Sequence, residues 1–314
     1  MQRGERVVGA VVGCAVGDAL GAPFEFSLPG VFSGRFPEPG GGGEMCGGGG
    51  WDPGEATDDT QMALMVALSL LERGGLDPAD AFARFQVWAR AEPKDIGLQT
   101  EAVLTSGLSW ERAAADHAAH AGRAAGNGSL MRAVTGAVFY ARAGRDASMD
   151  AARRISALTH GDPAAGEGCA LYHELVRVAL NGVDPLTAVH DALAQVGPVR
   201  RERWATVLAP TWGPDQATEF NGAVWPALGT ALWALRTTDT FEQALRAAVD
   251  VGGDTDTVAA ITGGLAGAIY GAGAIPERWT APLHVSLPGH GERIWRYVDL
   301  CDLAISLDRN GRYL

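Results

Sequence analysis

The chain has 314 residues, of which 47% are hydrophobic and 20% charged, a composition that excludes a disordered chain and predicts a folded protein with a large core. Its formal net charge of −12 argues against extended binding to a nucleic-acid backbone, which needs clustered Lys and Arg. A small phosphorylated ligand is still compatible with this charge, because backbone N–H groups and metal ions can bind phosphate.

The first predicted helix covers residues 5–20, where apolar residues recur at close to i, i+3, i+4 spacing. Its apolar run is short and leads directly into Gly17-Asp18, so it lacks the length and cleavage pattern of a signal peptide. No later stretch has about 18 uncharged apolar residues in a row, so we expect no membrane span. The four cysteines lie far apart without a C-x-x-C pair, which is typical of reduced thiols. We therefore expect a cytoplasmic protein, and we expect it to be a monomer.

The segment from about residue 27 to residue 56 is the long irregular stretch of the sequence, and it is rich in Gly and Pro. A loop of this length is usually functional or mobile. Its Gly-rich part, residues 38–50, is either a flexible lid over the acceptor side of a site or a tolerated surface loop.

Helical periodicity returns at residues 58–73, which have a broad apolar face and end at Gly74-Gly75. Further helices are predicted at 78–91, 97–106, 110–120, 129–143, 148–158, 164–181, 185–195, 199–208, 222–236, 240–250, 255–270 and 290–306. Alternating strand patterns are almost absent, no fixed repeat is found, and no linker divides the chain. The sequence predicts an all-α fold: one compact, orthogonal helical domain of more than ten helices over residues 1–314.

Two of the predicted helix starts have paired acids, Thr57-Asp58-Asp59 and Asp254-Thr255-Asp256-Thr257. Taken singly, each is typical of a helix cap, because side-chain oxygens accept hydrogen bonds from free N–H groups and acids favour the positive end of the dipole. If folding brings the two starts together, four carboxylates crowd one place and need compensating cations. Oxygen ligands suit Mg²⁺, Mn²⁺ or Ca²⁺ better than Zn²⁺ or Cu²⁺.

Six segments together give the sequence a wider resemblance. They are Gly13-Cys14-Ala15-Val16-Gly17-Asp18-Ala19-Leu20-Gly21 with Glu25-Phe26, Thr57-Asp58-Asp59-Thr60, Asp95-Ile96-Gly97, Gly126-Asn127-Gly128-Ser129-Leu130-Met131-Arg132, Thr159-His160-Gly161-Asp162 and Gly252-Gly253-Asp254-Thr255-Asp256-Thr257. In this order they resemble the ADP-ribosylglycohydrolase family, which includes the dinitrogen-reductase-activating glycohydrolase, over roughly residues 4–270. The resemblance implies an all-α fold and a centre of two divalent cations, Mg²⁺ or Mn²⁺. By motif position the metal ligands would be Thr57, Asp58, Asp59, Asp254, Asp256 and Thr257.

The activity that the resemblance implies is removal of ADP-ribose from a modified protein side chain or a small conjugate. We expect hydrolysis at the anomeric carbon, with the metals orienting the ribose diol and a water. Glu25, Asp59 or Asp256 would move the proton, and which acid is the base stays open. Two competing hypotheses are a two-metal nucleotide phosphohydrolase and a non-catalytic ADP-ribose binder.

The residues expected to bind substrate are Asp95, Gly126, Asn127, Gly128, Ser129 and His160. The Gly-Asn-Gly-Ser segment is predicted to open a helix whose free N–H groups bind a ribose or phosphate, with a plain turn as the alternative. Asp95 is either an N-cap or a carboxylate that pairs with a guanidinium. It therefore favours ADP-ribosyl-arginine over ADP-ribosyl-serine or O-acetyl-ADP-ribose. His160 is either a ligand contact or a C-terminal cap.

Three further residues have a functional and a structural interpretation. Glu25 lies between two phenylalanines, where a raised pKa would suit proton transfer, or else it is a surface glutamate beside two core rings. Asp18 is expected to cap a helix or to orient a metal ligand. In relatives an aromatic residue stacks on adenine, but Ala223 stands at that position here, and Trp225 is either its replacement or a core residue.

Overall fold

The computed structural model describes residues 1–122 and 124–313, and within them it confirms the all-α prediction. The helices are α1 (Arg3–Gly21), α2 (Val31–Arg35), α3 (Asp58–Arg73), α4 (Pro78–Arg90), α5 (Leu98–Leu104), α6 (Ala113–His120), α7 (Val134–Tyr140), α8 (Arg145–Ser156), α9 (Pro163–Leu180), α10 (Pro185–Leu193), α11 (Pro198–Val207), α12 (Val224–Thr237), α13 (Phe241–Asp250), α14 (Thr255–Tyr270), α15 (Glu277–Thr280) and α16 (Tyr297–Asn310). Strands β1 (His284–Ser286) and β2 (Ile294–Arg296) pair antiparallel, with Val285 opposite Trp295.

Two predicted helices differ clearly from the observed ones. The helix expected at 129–143 begins only at Val134, because the N–H groups of Leu130 and Met131 both donate to the carbonyl of Asn127 and close a turn. The helix expected at 290–306 begins at Tyr297, because the residues before it form β2. The sequence also gave no signal for the short helices α2 and α15 or for the two-stranded sheet.

The centre of the protein is the contact between α1 and α14. Four glycines spaced four residues apart form one face of α1: Gly9, Gly13, Gly17 and Gly21. A Cβ added at Gly17 would lie 2.0 Å from the carbonyl oxygen of Ala259, so the two backbones touch as only glycine allows. A Cβ at Gly21 would lie 2.5 Å from the Cα of Asp256. This contact therefore fixes the end of α1 against the start of α14.

Helix α1 and the short 3₁₀ turn after it (Arg3–Phe24) are, by length and composition, apolar enough to cross a membrane. In the most apolar window of this stretch, 89% of the residues are buried inside the protein. This is the environment of a core helix, which the glycine contact with α14 explains.

Ion pairs anchor the Gly-rich segment to the helices behind it. The Glu44 carboxylate is 1% exposed; it accepts a hydrogen bond from Arg278 at 3.2 Å and lies 3.5 Å from Arg246. The backbone N–H of Gly40 donates to the Glu242 carboxylate at 2.9 Å. A buried carboxylate between two arginines holds the loop in place, which favours the surface-loop interpretation over a flexible lid.

Candidate active site and metal centre

A cleft of about 440 Å³ opens where the starts of α3 and α14 meet the end of α1. Six carboxylates line it: Glu25, Asp58, Asp59, Asp95, Asp254 and Asp256. Within the described part of the chain, no Lys or Arg side chain lines the cleft with them. Folding thus brings together the two acidic helix starts, and the crowded negative charge calls for cations.

Helix capping accounts for only part of the hydrogen-bonding capacity of the residues at these two helix starts. Thr57 is the N-cap of α3, and its hydroxyl accepts the N–H of Asp59 at 3.4 Å while lying 3.4 Å from an oxygen of Asp58. Asp254 occupies the N-cap position of α14 without a side-chain cap bond, and its carboxylate accepts instead from Asn127 at 2.8 Å. The Oδ2 atom of Asp59 is buried and has no hydrogen-bond partner within residues 1–122 and 124–313. A buried carboxylate oxygen without a hydrogen-bond partner in this place fits a role as a metal ligand.

Oxygen atoms from both helix starts converge. The hydroxyl of Thr257 lies 3.4 Å from an oxygen of Asp59, which joins α14 to α3. Ligand oxygens of Glu25, Asp254 and Asp256 all lie within 4.8 Å of one another. An all-oxygen donor set of this density fits hard divalent cations such as Mg²⁺ or Mn²⁺.

The raised pKa values of the acids in the cluster are also consistent with a cation-binding site. Burial raises the pKa of Asp58, Asp59 and Asp256 well above the usual carboxyl range, and the charges of neighbouring acids raise it further. Without positive charge, the cluster cannot keep all its carboxylates ionised.

Glu25 follows the end of α1 and is partly buried at the edge of the cluster. Burial, together with the charges of Asp95 and Asp254, raises the pKa of Glu25 to about 7. The next residue, Phe26, has a φ of 61°, which L-residues rarely adopt, and donates its N–H to Gly253. Its ring is 73% exposed at the rim of the cleft, so Phe26 is not a core residue.

Asp95 lines the cleft and does not cap α5. The N-cap position belongs to Gly97, and one oxygen of Asp95 accepts the N–H of Ile96 at 2.8 Å. The other oxygen has no hydrogen-bond partner among the described residues. The N-cap interpretation is therefore wrong, and Asp95 lines the same cleft as the cluster of acids. Gln99 and Thr100 in the first turn of α5 also line the cleft; their only sequence signal is that they follow Asp95.

Asp18 is fully buried behind the cleft. Its carboxylate accepts the N–H groups of Thr57 and Thr60 at 3.0 Å and the hydroxyl of Thr60 at 2.5 Å. These bonds fix the start of α3 against α1, so Asp18 determines where the acidic segment lies.

The remaining predicted substrate-binding residues divide into two groups. Gly126, Asn127, Gly128 and His160 line the cleft. The hydroxyl of Ser129 is buried and lies 2.8 Å from that of Ser156, so its side chain secures the turn away from the cleft.

Of the aromatic rings near the cleft, that of Phe26 lies at its rim and is exposed, whereas that of Trp225 is buried. Its ring is 4% exposed, lies 4.3 Å from the ring of Trp204 between centroids, and is covered by the guanidinium of Arg203. Trp225 is thus a core residue. The exposed rings of Phe26 and Phe220 are nearly parallel, with an interplanar angle of 21° and centroids 6.4 Å apart. Neither was singled out in the sequence as a base-stacking residue.

Comparison with known proteins agrees with this architecture. The family model described as ADP-ribosylglycohydrolase matches residues 1–311. The chain is 31% identical, over 97% of its length and 98% of the relative, to the ADP-ribosyl-[dinitrogen reductase] glycohydrolase of Rhodospirillum rubrum. It is 32% identical to the ADP-ribosylarginine hydrolase Tri1 of Pseudomonas putida (strain GB-1), over 88% of its length and 73% of the relative. A solved structure described as an ADP-ribosylglycohydrolase-related protein complex aligns with a TM-score of 0.76 and 34% identity, covering 99% of both chains. The chain belongs to the ADP-ribosylglycohydrolase family.

Proposed function

We propose that this protein is a metal-dependent hydrolase that removes ADP-ribose from modified arginine side chains of proteins. The observation that supports arginine as the acceptor is the free carboxylate oxygen of Asp95. It lies in a cleft that six acids line, and among the described residues no Lys or Arg lines that cleft. A guanidinium is positively charged and pairs bidentately with a carboxylate, whereas a serine acceptor is neutral. One relative is described as an ADP-ribosylarginine hydrolase, which favours the same acceptor.

The residues that would hold two Mg²⁺ or Mn²⁺ ions are Thr57, Asp58, Asp59, Asp254, Asp256 and Thr257. The orphaned oxygen of Asp59 and the convergence of Thr257 on Asp59 support this set. Such cations, when bound, polarise hydroxyl groups and lower the pKa of water. The negative charge of the four aspartates equals the positive charge of two divalent ions. The remaining carboxylates, Glu25 and Asp95, keep the cleft negative, which favours a cationic acceptor.

The side chains of this protein would then act on the acceptor and the protons. Asp95 binds the guanidinium and orients the bond between its nitrogen and the anomeric carbon. Hydrolysis breaks that bond, forms a bond from the anomeric carbon to a water oxygen, and moves one proton from the water to the leaving nitrogen. Glu25 lies at the cleft edge beside Asp254 and Asp256. In the proposed reaction Glu25 delivers this proton, and Asp256 or Asp59 accepts the one from water.

The experiment that tests the function is a product analysis. Purified protein with Mn²⁺ or Mg²⁺ is given arginine-, serine- and O-acetyl-linked ADP-ribose, and we expect free ADP-ribose to be released fastest from the arginine conjugate. Release of AMP would indicate a phosphohydrolase instead. Binding of ADP-ribose without turnover of any conjugate would indicate a non-catalytic binder.

We further propose that the protein acts as a monomer in the cytoplasm; its four unpaired cysteines are compatible with a reducing compartment.

A further inference from the structure

Arg132 is a fully buried cation whose hydrogen-bond partners in the described part of the chain are all neutral. Its guanidinium donates to the carbonyls of Gly128 and Ile155, both at 3.3 Å, and to the hydroxyl of Thr159 at 2.8 Å. Its Nε has no partner, and its central carbon lies 4.7 Å from the ring centroid of Phe85. Burial lowers the pKa of Arg132 to about 10. The charge of Asp58 offsets the effect of burial only in part. A buried charge whose direct partners are all neutral destabilises a fold, so a role in the neighbouring cleft is the better explanation for it.

The hydrogen bonds of Arg132 determine the protonation of His160. The Thr159 hydroxyl lies 2.8 Å from the guanidinium and 2.8 Å from Nδ1 of His160. A guanidinium can only donate, so the hydroxyl oxygen accepts from it. The single hydroxyl proton then has His160 Nδ1 as its acceptor among the described residues. The imidazole is therefore neutral and has its own proton on Nε2.

The Nε2 atom of His160 borders the cleft beside the 126–129 turn. It has no hydrogen-bond partner among the described residues, and neither has the backbone N–H of Gly128. A Cβ added at Gly126 or Gly128 would lie 3.3 or 3.2 Å from Nε2, so the turn packs directly on the ring edge. Because Arg132 also holds the Gly128 carbonyl, one guanidinium fixes both the ring and the turn that faces it.

We propose that Arg132 is a positioning residue for ligand binding, which through Thr159 and Gly128 presents the Nε2–H of His160 to a diphosphate oxygen of ADP-ribose. Phosphate oxygens only accept hydrogen bonds, and this end of the cleft offers two unpaired N–H donors. Burial and the positive charge of Arg132 both hold the pKa of His160 well below its usual value, which agrees with a neutral donor. This inference rests on the proposed function for the identity of the ligand.

The first test measures the dissociation constant of free ADP-ribose by calorimetry in the presence of Mn²⁺. We expect Arg132→Met to weaken binding about tenfold, since a hydrogen bond to a charged group is lost or misaligned. Thr159→Val should cause a similar loss and Thr159→Ser should restore most of it. Arg154→Met, which changes an exposed arginine on α8, is the matched control and should leave the constant unchanged. If Arg132→Met does not fold, the comparison of Thr159→Val with Thr159→Ser still tests the proposal. Equal binding of ADP-ribose by Thr159→Val and the parent would overturn it.

The second test shows whether Arg132 acts through His160. In a His160→Gln background the side-chain amide supplies a donor that needs no particular tautomer, so Arg132→Met should add a loss of only about threefold, which is the share that acts through the Gly128 turn. A full tenfold loss in that background would refute the proposal. Nitrogen-15 spectra of the parent should show the His160 proton on Nε2, and a proton on Nδ1 would also refute it. Neither measurement needs turnover, so a parent that binds ADP-ribose but hydrolyses no conjugate would contradict only the proposed function.

Discussion

At the scale of single residues, the carboxylates of the cleft differ in how many of their oxygens are already bonded. Asp18 accepts hydrogen bonds from Thr57 and Thr60, whereas Asp59 and Asp95 each keep one oxygen to which no residue that the structure describes donates. A saturated carboxylate holds backbone in place, and an unsaturated one can bind a cation or a guanidinium.

Asp95 is the residue on which the choice of acceptor depends. Asp95→Asn should lower kcat/KM for arginine-linked ADP-ribose by about tenfold or more, because a charge-assisted bidentate pair is lost. Turnover of a serine-linked substrate should change much less, and steady-state kinetics on both conjugates measures the difference. Asp150→Asn, outside the cleft, serves as the control. Equal losses on both substrates would show that Asp95 does not recognise the acceptor.

Glu25 and Asp256 have different expected roles, although their oxygens lie close together. Asp256→Asn should weaken Mn²⁺ binding and abolish turnover, because a proposed metal ligand is replaced. Glu25→Gln should keep Mn²⁺ binding and lower kcat by about a hundredfold or more, as expected for loss of a proton donor. Calorimetric metal titration with parallel kinetics separates the two. Loss of Mn²⁺ binding in Glu25→Gln would make Glu25 a ligand instead.

At the scale of elements, local signals determined which helix bounds could be predicted. Helices α3 and α14 were predicted at their observed bounds, because Thr57 and Gly74 cap one and Asp254 and Gly271 flank the other. The start of α16 was predicted wrongly, because β2 pairs with the nearby strand β1, and two strands of three residues each are too short to show an alternating pattern in the sequence.

The backbone contact between α1 and α14 can be tested by adding one methyl group. In Gly17→Ala the Cβ would lie 2.0 Å from the Ala259 carbonyl oxygen, so the helices must separate. We expect a loss of about 2 kcal/mol in unfolding free energy, since overpacking outweighs the gain in helix propensity. Gly4→Ala on the same helix meets nothing within 4 Å and should be neutral or slightly stabilising. Similar stabilities from urea unfolding of both variants would disprove the close contact.

At the scale of the whole molecule, a buried histidine links stability to pH. Burial lowers the pKa of His173 to about 4, while its Nδ1–H donates to the Ser148 carbonyl at 3.0 Å. Between the unfolded value of about 6.5 and the folded one, the unfolded chain binds more protons, so stability falls as pH falls through this window.

His173→Asn should therefore lose less stability than the parent when the pH is lowered from 7 to 5, by about 2 kcal/mol. The acidic cleft gives an opposite slope in both proteins, so the variant is compared with the parent by urea unfolding at each pH. His190→Asn, at an exposed position, should keep the parental slope. Identical slopes for His173→Asn and the parent would contradict a neutral buried His173.

Over the whole chain, the fold class and the acids that line the cleft could be predicted, because helical periodicity, the acidic helix starts and the family motifs are visible in the sequence. The assembly of the cleft could not, because it depends on contacts between distant segments. Asn127 reaches Asp254, and Thr257 reaches Asp59, only after α1 and α14 have packed together.

The proposed function is hydrolysis of the bond between ADP-ribose and arginine by this protein, with divalent cations held in the cleft. Its most direct test is to follow free ADP-ribose released from ADP-ribosyl-arginine by the purified protein, first with Mn²⁺, then with excess chelator, and then with Mn²⁺ restored. We predict release that stops with the chelator and returns with the metal. Release that continues unchanged in the chelator, or AMP as the product, would contradict the claim.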